Sequence, residues 1–303
     1  MKTANQTASK ILLIDAGNSS LKWAFLEENM LSQQYRSFYS KHSSKQNSKQ
    51  ISAIQQFRKL LEKNLNIIDA VVMVSVLGEE FNHKASNISQ ELSLVFEQVK
   101  SIESLSGIVN AYDEPYKLGA DRFVALIAAY HLSNKKQKKQ KACIIIDSGT
   151  ATTIDAVDSQ GNHLGGLILP GVDLCSSSLL QNTQQLALWG KTQNQNKFEP
   201  NLFSTNTVDA INSASILGLS GAIQNICFNM VKAIKLKEKN TMIDKFLCGG
   251  SAELLHPYLD SDFCLQNNLI MQGLQFLVLG ELSKDFSASS LKSNIKKKHD
   301  KKP

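Results

Sequence analysis

No apolar run in this chain of 303 residues approaches the roughly 20 needed to cross a hydrocarbon core, so no membrane span is expected. No C-x-x-C pair occurs either. The five cysteines (Cys143, Cys175, Cys227, Cys248 and Cys264) are scattered, and three lie inside apolar runs, reading as small core residues of a protein held in a reducing cytoplasm. The opening MKTANQTASK is a polar lead into a four-residue apolar run stopped by Asp15, which does not read as a signal peptide. No aromatic residue is interleaved among the lysine runs of either basic stretch. The tail from Ser283 and the segment Asn134–Lys141 each carry a net +5, which leaves −4 on the rest of a chain of net charge +6. A solvated linker and a basic tail explain that distribution, and no nucleic-acid partner is expected.

What is present centres on Cys143–Val157, CIIIDSGTATTIDAV. A β-branched run with no polar break suits a strand covered on both faces. It ends in Asp147-Ser148-Gly149-Thr150, and a second strand-like run leads away. Gly149 has no Cβ, and the N–H groups of such a turn can form an anion-binding concavity. A carboxylate closing a buried strand needs a cation or donors. The plain alternative is a hairpin with an Asx-type turn.

The same pattern occurs at Ile11–Phe25, ILLIDAGNSSLKWAF, 132 positions earlier, with Asp15 on Asp147, Gly17 on Gly149 and Asn18 on Thr150. That spacing is the size of a domain, so it reads as a duplication and not as a solenoid repeat. Two such turns facing a cleft suit a phosphate chain and its metal.

Between and after the turns, strand-like and helix-like runs alternate, as in an α/β protein. Tyr35–Gln50 is polar and reads as a loop or irregular edge. Ile51–Leu65 and Phe81–Leu92 read as helices, Ala70–Leu77 and Leu94–Val99 as strands. Gly119-Ala120-Asp121-Arg122 opens a helix, with Asp121 in the first turn, where unpaired N–H groups favour an anion. On pattern alone Asp121 is a helix-start acid. Gly165–Gly171 reads as a strand closed by a Pro-Gly turn, Thr207–Leu236 as a long apolar helix, Lys245–Cys248 as a strand running into Gly249-Gly250, and Gln272–Lys284 as a closing helix.

Five segments, DAGNSSLK (15–22), YDEPYKLGADR (112–122), DSGTATTID (147–155), GGLILPG (165–171) and CGG (248–250), stand in an order that resembles the type III pantothenate kinases. These belong to the acetate and sugar kinase, heat-shock chaperone and actin superfamily. The resemblance implies two duplicated ribonuclease H-like α/β domains of the actin-like ATPase fold around a nucleotide cleft. Expected bounds are a lead at 1–10, a first domain at 11–118, a second at 119–282 containing the linker 134–141, and a basic tail at 283–303. It implies phosphorylation of pantothenate by ATP, with Asp121 as catalytic base. Asp15, Ala16, Gly17, Asn18, Ser19, Ser20, Leu21, Lys22 and Thr150 would bind ATP. Tyr112, Gly119, Ala120, Asp121, Arg122 and Thr183 would bind pantothenate. Asp147 would hold a monovalent cation, K⁺ or NH₄⁺, and Asp15 would hold Mg²⁺ through water. It also implies a homodimer, a suggestion strengthened by the small residues Ala125, Ala128, Ala129 and Gly218 on apolar helices. Ser251 and Ala214 depart from the family pattern, which usually has an acid and a glycine there. Another kinase of the superfamily fits less well because the chain is short and lacks large inserts. A non-catalytic regulator would be expected to have lost Asp15, Asp121 and Asp147.

Overall fold

The computed structural model describes residues 10–39, 46–135, 139–182 and 198–282. By packing the chain forms two compact units. Among the described residues, one gathers those up to 107 with 112–128 and 270–282, the other 108–111 with those from 129 to 269. Residues 119–128 and 270–282 therefore fall in the unit that holds the first phosphate turn, whereas the sequence reading placed everything from 119 to 282 in the second domain.

The first unit is built on a sheet in which β1 (Lys10–Ala16) pairs antiparallel with β2 (Ser20–Glu27) and parallel with β5 (Ala70–Ser75). Beyond β2 lie β3 (Met30–Leu31) and β4 (Tyr35–Phe38), and beyond β5 lies β6 (Val95–Val99). All six residues of β5 are buried, as a β-branched central strand demands. Helices α1 (Gln46–Asn64) and α2 (Glu79–Glu91) meet through Phe57 and Phe81, whose rings stand edge to face at 6.2 Å. A small two-stranded sheet, β7 (Ser104–Leu105) with β8 (Ile108–Val109), follows. Helix α3 (Ala120–Asn134) begins in this unit and ends in the other.

The second sheet repeats the first. β9 (Ala142–Ser148) pairs antiparallel with β10 (Ala151–Val157), which pairs with β11 (His163–Pro170). On its other side β9 runs parallel to β12 (Ile243–Cys248), and β12 to β13 (Phe263–Leu265). The order β11-β10-β9-β12-β13 matches β3-β2-β1-β5-β6 in sequence and in strand sense, so the duplication read in the turns extends to whole sheets.

Helices α4 (Val172–Asn182), α5 (Thr207–Lys237) and the short α6 (Ala252–Leu255) follow, with α7 (Leu269–Leu279) at the end. Ile216, Leu219, Ile223 and Cys227 of α5 pack into the second core beside Ile144, Ile146 and Leu247. By length and composition alone α5 is apolar enough to cross a membrane, contrary to the expectation that no segment would be; a helix with this many core contacts meets the same criterion.

Tyr35–Phe38, expected as a loop or irregular edge, is an edge strand paired with β2. Its local pattern is polar, and cross-strand contacts decide the outcome: Tyr35 stacks on Trp23 at 5.8 Å. Helix α7 starts at Leu269, earlier than expected, and at Gly273 it lies so close to the Val124 backbone of α3 that a Cβ would collide.

Candidate active site

In the first turn, Asp15 closes β1 and is 3% exposed. The ladder sets Lys22 directly opposite, and its Nζ donates to Asp15 Oδ2 at 3.0 Å. This ion pair compensates a carboxylate that burial would otherwise make costly. Tyr39 is also buried, and desolvation, reinforced by the negative charge of Asp15, raises its phenol above the ordinary range. Between the strands, Gly17 N–H donates to the Ser20 carbonyl and Tyr39 N–H to the Ser19 carbonyl. Ala16 and Leu21 are buried ladder partners, Asn18 and Ser19 are exposed, and Ser20 Oγ accepts from Arg36 Nε at 2.9 Å. The exposed part of this turn is thus Gly17-Asn18-Ser19, with the buried Asp15 behind it.

The second turn repeats this with one residue fewer. Thr153 stands opposite Asp147, where the first turn has Lys22 seven positions after Asp15. Gly149 N–H donates to the Ala151 carbonyl at 2.9 Å, and Ser148 and Thr152 share a buried hydroxyl contact of 2.9 Å. Thr150 is exposed and Asp147 half-buried. Two further loops close on this turn. The Pro170–Gly171 corner presses Gly171 against the Gly149 and Thr150 carbonyls, and Gly249, at φ 98°, lies against Asp147 Oδ1 and the Ser148 carbonyl. A side chain at either glycine would collide with these atoms.

Gly17 and Gly149 behave differently. A Cβ on Gly17 would come no closer than 3.5 Å to any atom, and one on Gly149 no closer than 3.8 Å, both ordinary contacts. Neither residue has the left-handed backbone that Gly249 shows. The fold of the described residues thus does not require glycine at either equivalent position.

The predicted substrate segment lies in the first unit. Arg122 Nη1 donates to the Tyr112 hydroxyl at 2.9 Å, and the guanidinium carbon lies 5.7 Å from the centre of that ring. Arg122 is 9% exposed. Asp121 Oδ1 accepts the Arg122 N–H at 2.8 Å, in the first turn of α3. A Cβ on Gly119 would stand 2.7 Å from that oxygen, so the glycine makes room for the carboxylate, and Ala120 begins the helix. The structure thus brings Tyr112, Gly119, Asp121 and Arg122 into one local arrangement.

Thr183 lies outside the described residues. At the start of α5, Asn206 accepts the Asp209 N–H as its N-cap, and Leu179, Ser204, Thr205, Thr207 and Ala210 line a cavity of about 500 Å³. Sequence reading passed over this hydroxyl group because a Ser/Thr/Asn run before a helix is read first as a cap. Among the described residues no three His, Cys, Asp or Glu side chains gather into a metal-binding group. A magnesium ion that arrives on nucleotide phosphates needs only one or two carboxylates, and the buried Asp15 of the first turn is a ligand of that type. Of the small residues expected to favour a dimer, Ala125, Ala128 and Ala129 are buried in the chain's own core, whereas Gly218 faces outward from α5, as do its neighbours Ala214 and Gly221.

A family model described as Type III pantothenate kinase matches residues 11–229. The chain is 31% identical over 276 residues to a Type III pantothenate kinase of Janthinobacterium sp. (strain Marseille), covering 89% of this chain and 97% of that protein. It is 36% identical over 179 residues to one of Pseudoalteromonas translucida (strain TAC 125), covering 59% and 68%. Among solved structures, a Baf family protein of Campylobacter jejuni superposes with a TM-score of 0.51 at 20% identity, covering 90% of this chain and 99% of that one. MreB5 of Spiroplasma citri bound to ADP superposes with 0.50 at 9% identity, covering 91% and 98%. At these identities the likeness concerns fold alone, and it supports the actin-like ATPase class expected from the duplicated turns.

Proposed function

Because the chain belongs to the type III pantothenate kinase family, we infer that it transfers the terminal phosphoryl group of ATP to the primary hydroxyl of pantothenate, the first step towards coenzyme A. The observation that carries this reading beyond family membership is the pair Gly17 and Gly149, bare at equivalent turns where the fold has no need of glycine.

Phosphoryl transfer passes through a loose transition state, so the protein's work is positioning and charge neutralisation. Asn18, Ser19 and Thr150 offer N–H and hydroxyl donors to the phosphates, Gly17 leaves room for their approach, and Lys22 adds charge from its place beside Asp15. Asp15 would hold Mg²⁺ and Asp147 a monovalent cation, K⁺ or NH₄⁺, and both ions would offset phosphate charge. Asp121 orients the pantothenate hydroxyl and takes its proton late, a task suited to a first-turn carboxylate. Tyr112 and Arg122 act as one unit on the substrate, the guanidinium facing its carboxylate or the moving phosphoryl group. With Thr183 undescribed, Thr207 is a second candidate for the substrate-contacting hydroxyl, because it lines the cavity at the start of α5. A cytoplasmic setting fits both the ATP requirement and five free cysteines. A homodimer fits the open small-residue face of α5.

The deciding experiment is a coupled assay of ADP release with ATP, Mg²⁺ and pantothenate, run with K⁺, with NH₄⁺ and with neither. Turnover that needs pantothenate and rises with a monovalent ion is expected. No turnover under any ion supplied would remove the reading.

A further inference from the structure

Asp155 and His163 form a buried pair, 2% and 3% exposed, with His163 Nε2 at 3.1 Å from Asp155 Oδ1. The two meet because of a bulge. Along β10 and β11 the register runs Asp155 to Gly166 and Ala156 to Gly165, then shifts so that Val157 faces His163. Leu164 is the extra residue. Had the register run on with Leu164 paired to Val157, His163 would face Asp158 and point to the opposite side of the sheet from Asp155, because side chains alternate. Gly165, at φ 95°, supplies the left-handed backbone such a bulge uses, and a Cβ on Gly166 would collide with Asp155 Oδ1. Both glycines of the GG motif are thus explained by the pair, not by a ligand.

The second ring nitrogen is also used. Ala111 N–H donates to His163 Nδ1 at 3.5 Å. Nδ1 is therefore the unprotonated nitrogen, and Nε2 carries the hydrogen that goes to Asp155. Two residues upstream, Val109 N–H donates to the Gly161 carbonyl at 3.0 Å and Val109 bridges to Asn162. That turn is itself pinned by Asp158, whose carboxylate accepts from the Gln160 and Asn162 N–H groups at 2.9 and 2.8 Å. Segment 108–111 is thus bound to the β10–β11 hairpin, and the next residue, Tyr112, already belongs to the other unit.

We propose that the Asp155–His163 pair is a positioning device that fixes the backbone at Ala111 and so sets Tyr112, with its Arg122 partner, for pantothenate. This rests on the reading that Tyr112 contacts that substrate. A pair kept only for packing would be replaced without loss by apolar residues of similar volume. Here the imidazole instead links a buried carboxylate to one backbone amide, that of the residue preceding Tyr112.

Two substitutions separate the nitrogens. In His163→Gln the amide nitrogen takes the place of Nε2 and the acceptor for Ala111 is lost. In His163→Asn the side-chain carbonyl takes the place of Nδ1 and keeps it. His163→Gln should raise the pantothenate KM about tenfold, the scale of one neutral hydrogen bond, with the ATP KM within about twofold of wild type. His163→Asn should bring the pantothenate KM back to within about threefold of wild type. Backbone hydrogen exchange in the unsubstituted protein should find the Ala111 amide protected, independent of activity and of how the variants fold. An unprotected Ala111 amide, a wild-type pantothenate KM in His163→Gln, or equal rises in both KM values would overturn the proposal. A protein inert towards pantothenate would instead fail the reading of function, and the exchange measurement would still decide on the anchor.

Discussion

Lys22 faces Asp15 across the β1–β2 ladder, and its ammonium reaches the carboxylate at 3.0 Å. The acid is buried, while the lysine side chain is 20% exposed. Removing the lysine leaves a buried charge without its partner. Lys22→Met should therefore destabilise the protein by about 3 kcal/mol in urea unfolding. The double variant Asp15→Asn, Lys22→Met should recover part of that loss. Equal stability of Lys22→Met and wild type would mean that water or another donor already serves Asp15.

The glycines of the two turns make a second, sharper expectation. Gly17→Ala and Gly149→Ala should leave the melting temperature unchanged or slightly higher, since alanine at a compatible site adds about 0.4–1 kcal/mol. The ATP KM should nevertheless rise at least about tenfold, because a methyl group occupies the ligand's approach to the backbone. Gly171→Ala and Gly249→Ala should lose stability outright, since their Cβ atoms collide with the second turn. An unchanged ATP KM in both turn variants would show that phosphate lies elsewhere.

Much of this arrangement was legible in the sequence because it is local. An apolar run, an acid, a glycine and a hydroxyl within six positions identify a strand and its turn, and seeing them twice identifies the duplication. The ungapped alignment of Asn18 with Thr150 holds only as far as the turn. Past it, Lys22 matches Thr153, a slip of one residue that only the ladders reveal. Non-local features were not readable. The strand at Tyr35–Phe38 depends on Trp23 across the sheet, and the Asp155–His163 contact depends on a bulge that shifts register by one. The membership of residues 119–128 in the first unit likewise comes from tertiary contacts, since nothing in their own sequence states which unit they will join.

Asp121→Asn tests the catalytic assignment with little structural cost. The amide oxygen can still accept the Arg122 N–H that Asp121 Oδ1 accepts now. Turnover should fall by about 10²–10⁴-fold, the usual contribution of a general base. The ATP dissociation constant, measured by calorimetry, should stay near wild type. A loss under about threefold would return Asp121 to the role of a helix-start acid.

Tyr39 should give the protein an alkaline limit. Its hydroxyl is buried, finds no hydrogen-bond partner among the described residues, and is raised above the ordinary phenol range by desolvation and by Asp15. The folded state therefore holds this proton more tightly than the unfolded chain. Its contribution is complete below about pH 10, where the unfolded phenol titrates, and is lost as pH rises above that value. Tyr39→Phe should match or exceed wild-type stability at neutral pH, because it deletes an unpaired hydroxyl, and should lose less between pH 9 and about 11. Identical alkaline slopes in urea unfolding of the two proteins would place the proton-linked loss on other groups.

The open face of α5 gives the last expectation. Ala214, Gly218 and Gly221 follow one another at helical spacing on its exposed side, and Phe228, 57% exposed, continues the stripe. A Cβ at Gly218 or Gly221 would meet nothing within 4 Å, so the packing of the described residues gives no reason for either glycine. Glycine in a helix interior costs roughly 0.5–1 kcal/mol relative to alanine, which a close helix–helix approach across a two-fold axis would offset. Light scattering at micromolar concentration should return twice the chain mass of 33.5 kDa. Gly218→Arg should fold, since there is room for its side chain, and should run as a monomer because like charges then meet across the axis. A wild-type protein that scatters as a single chain while turning over at its full rate would show that the stripe serves no interface the enzyme needs.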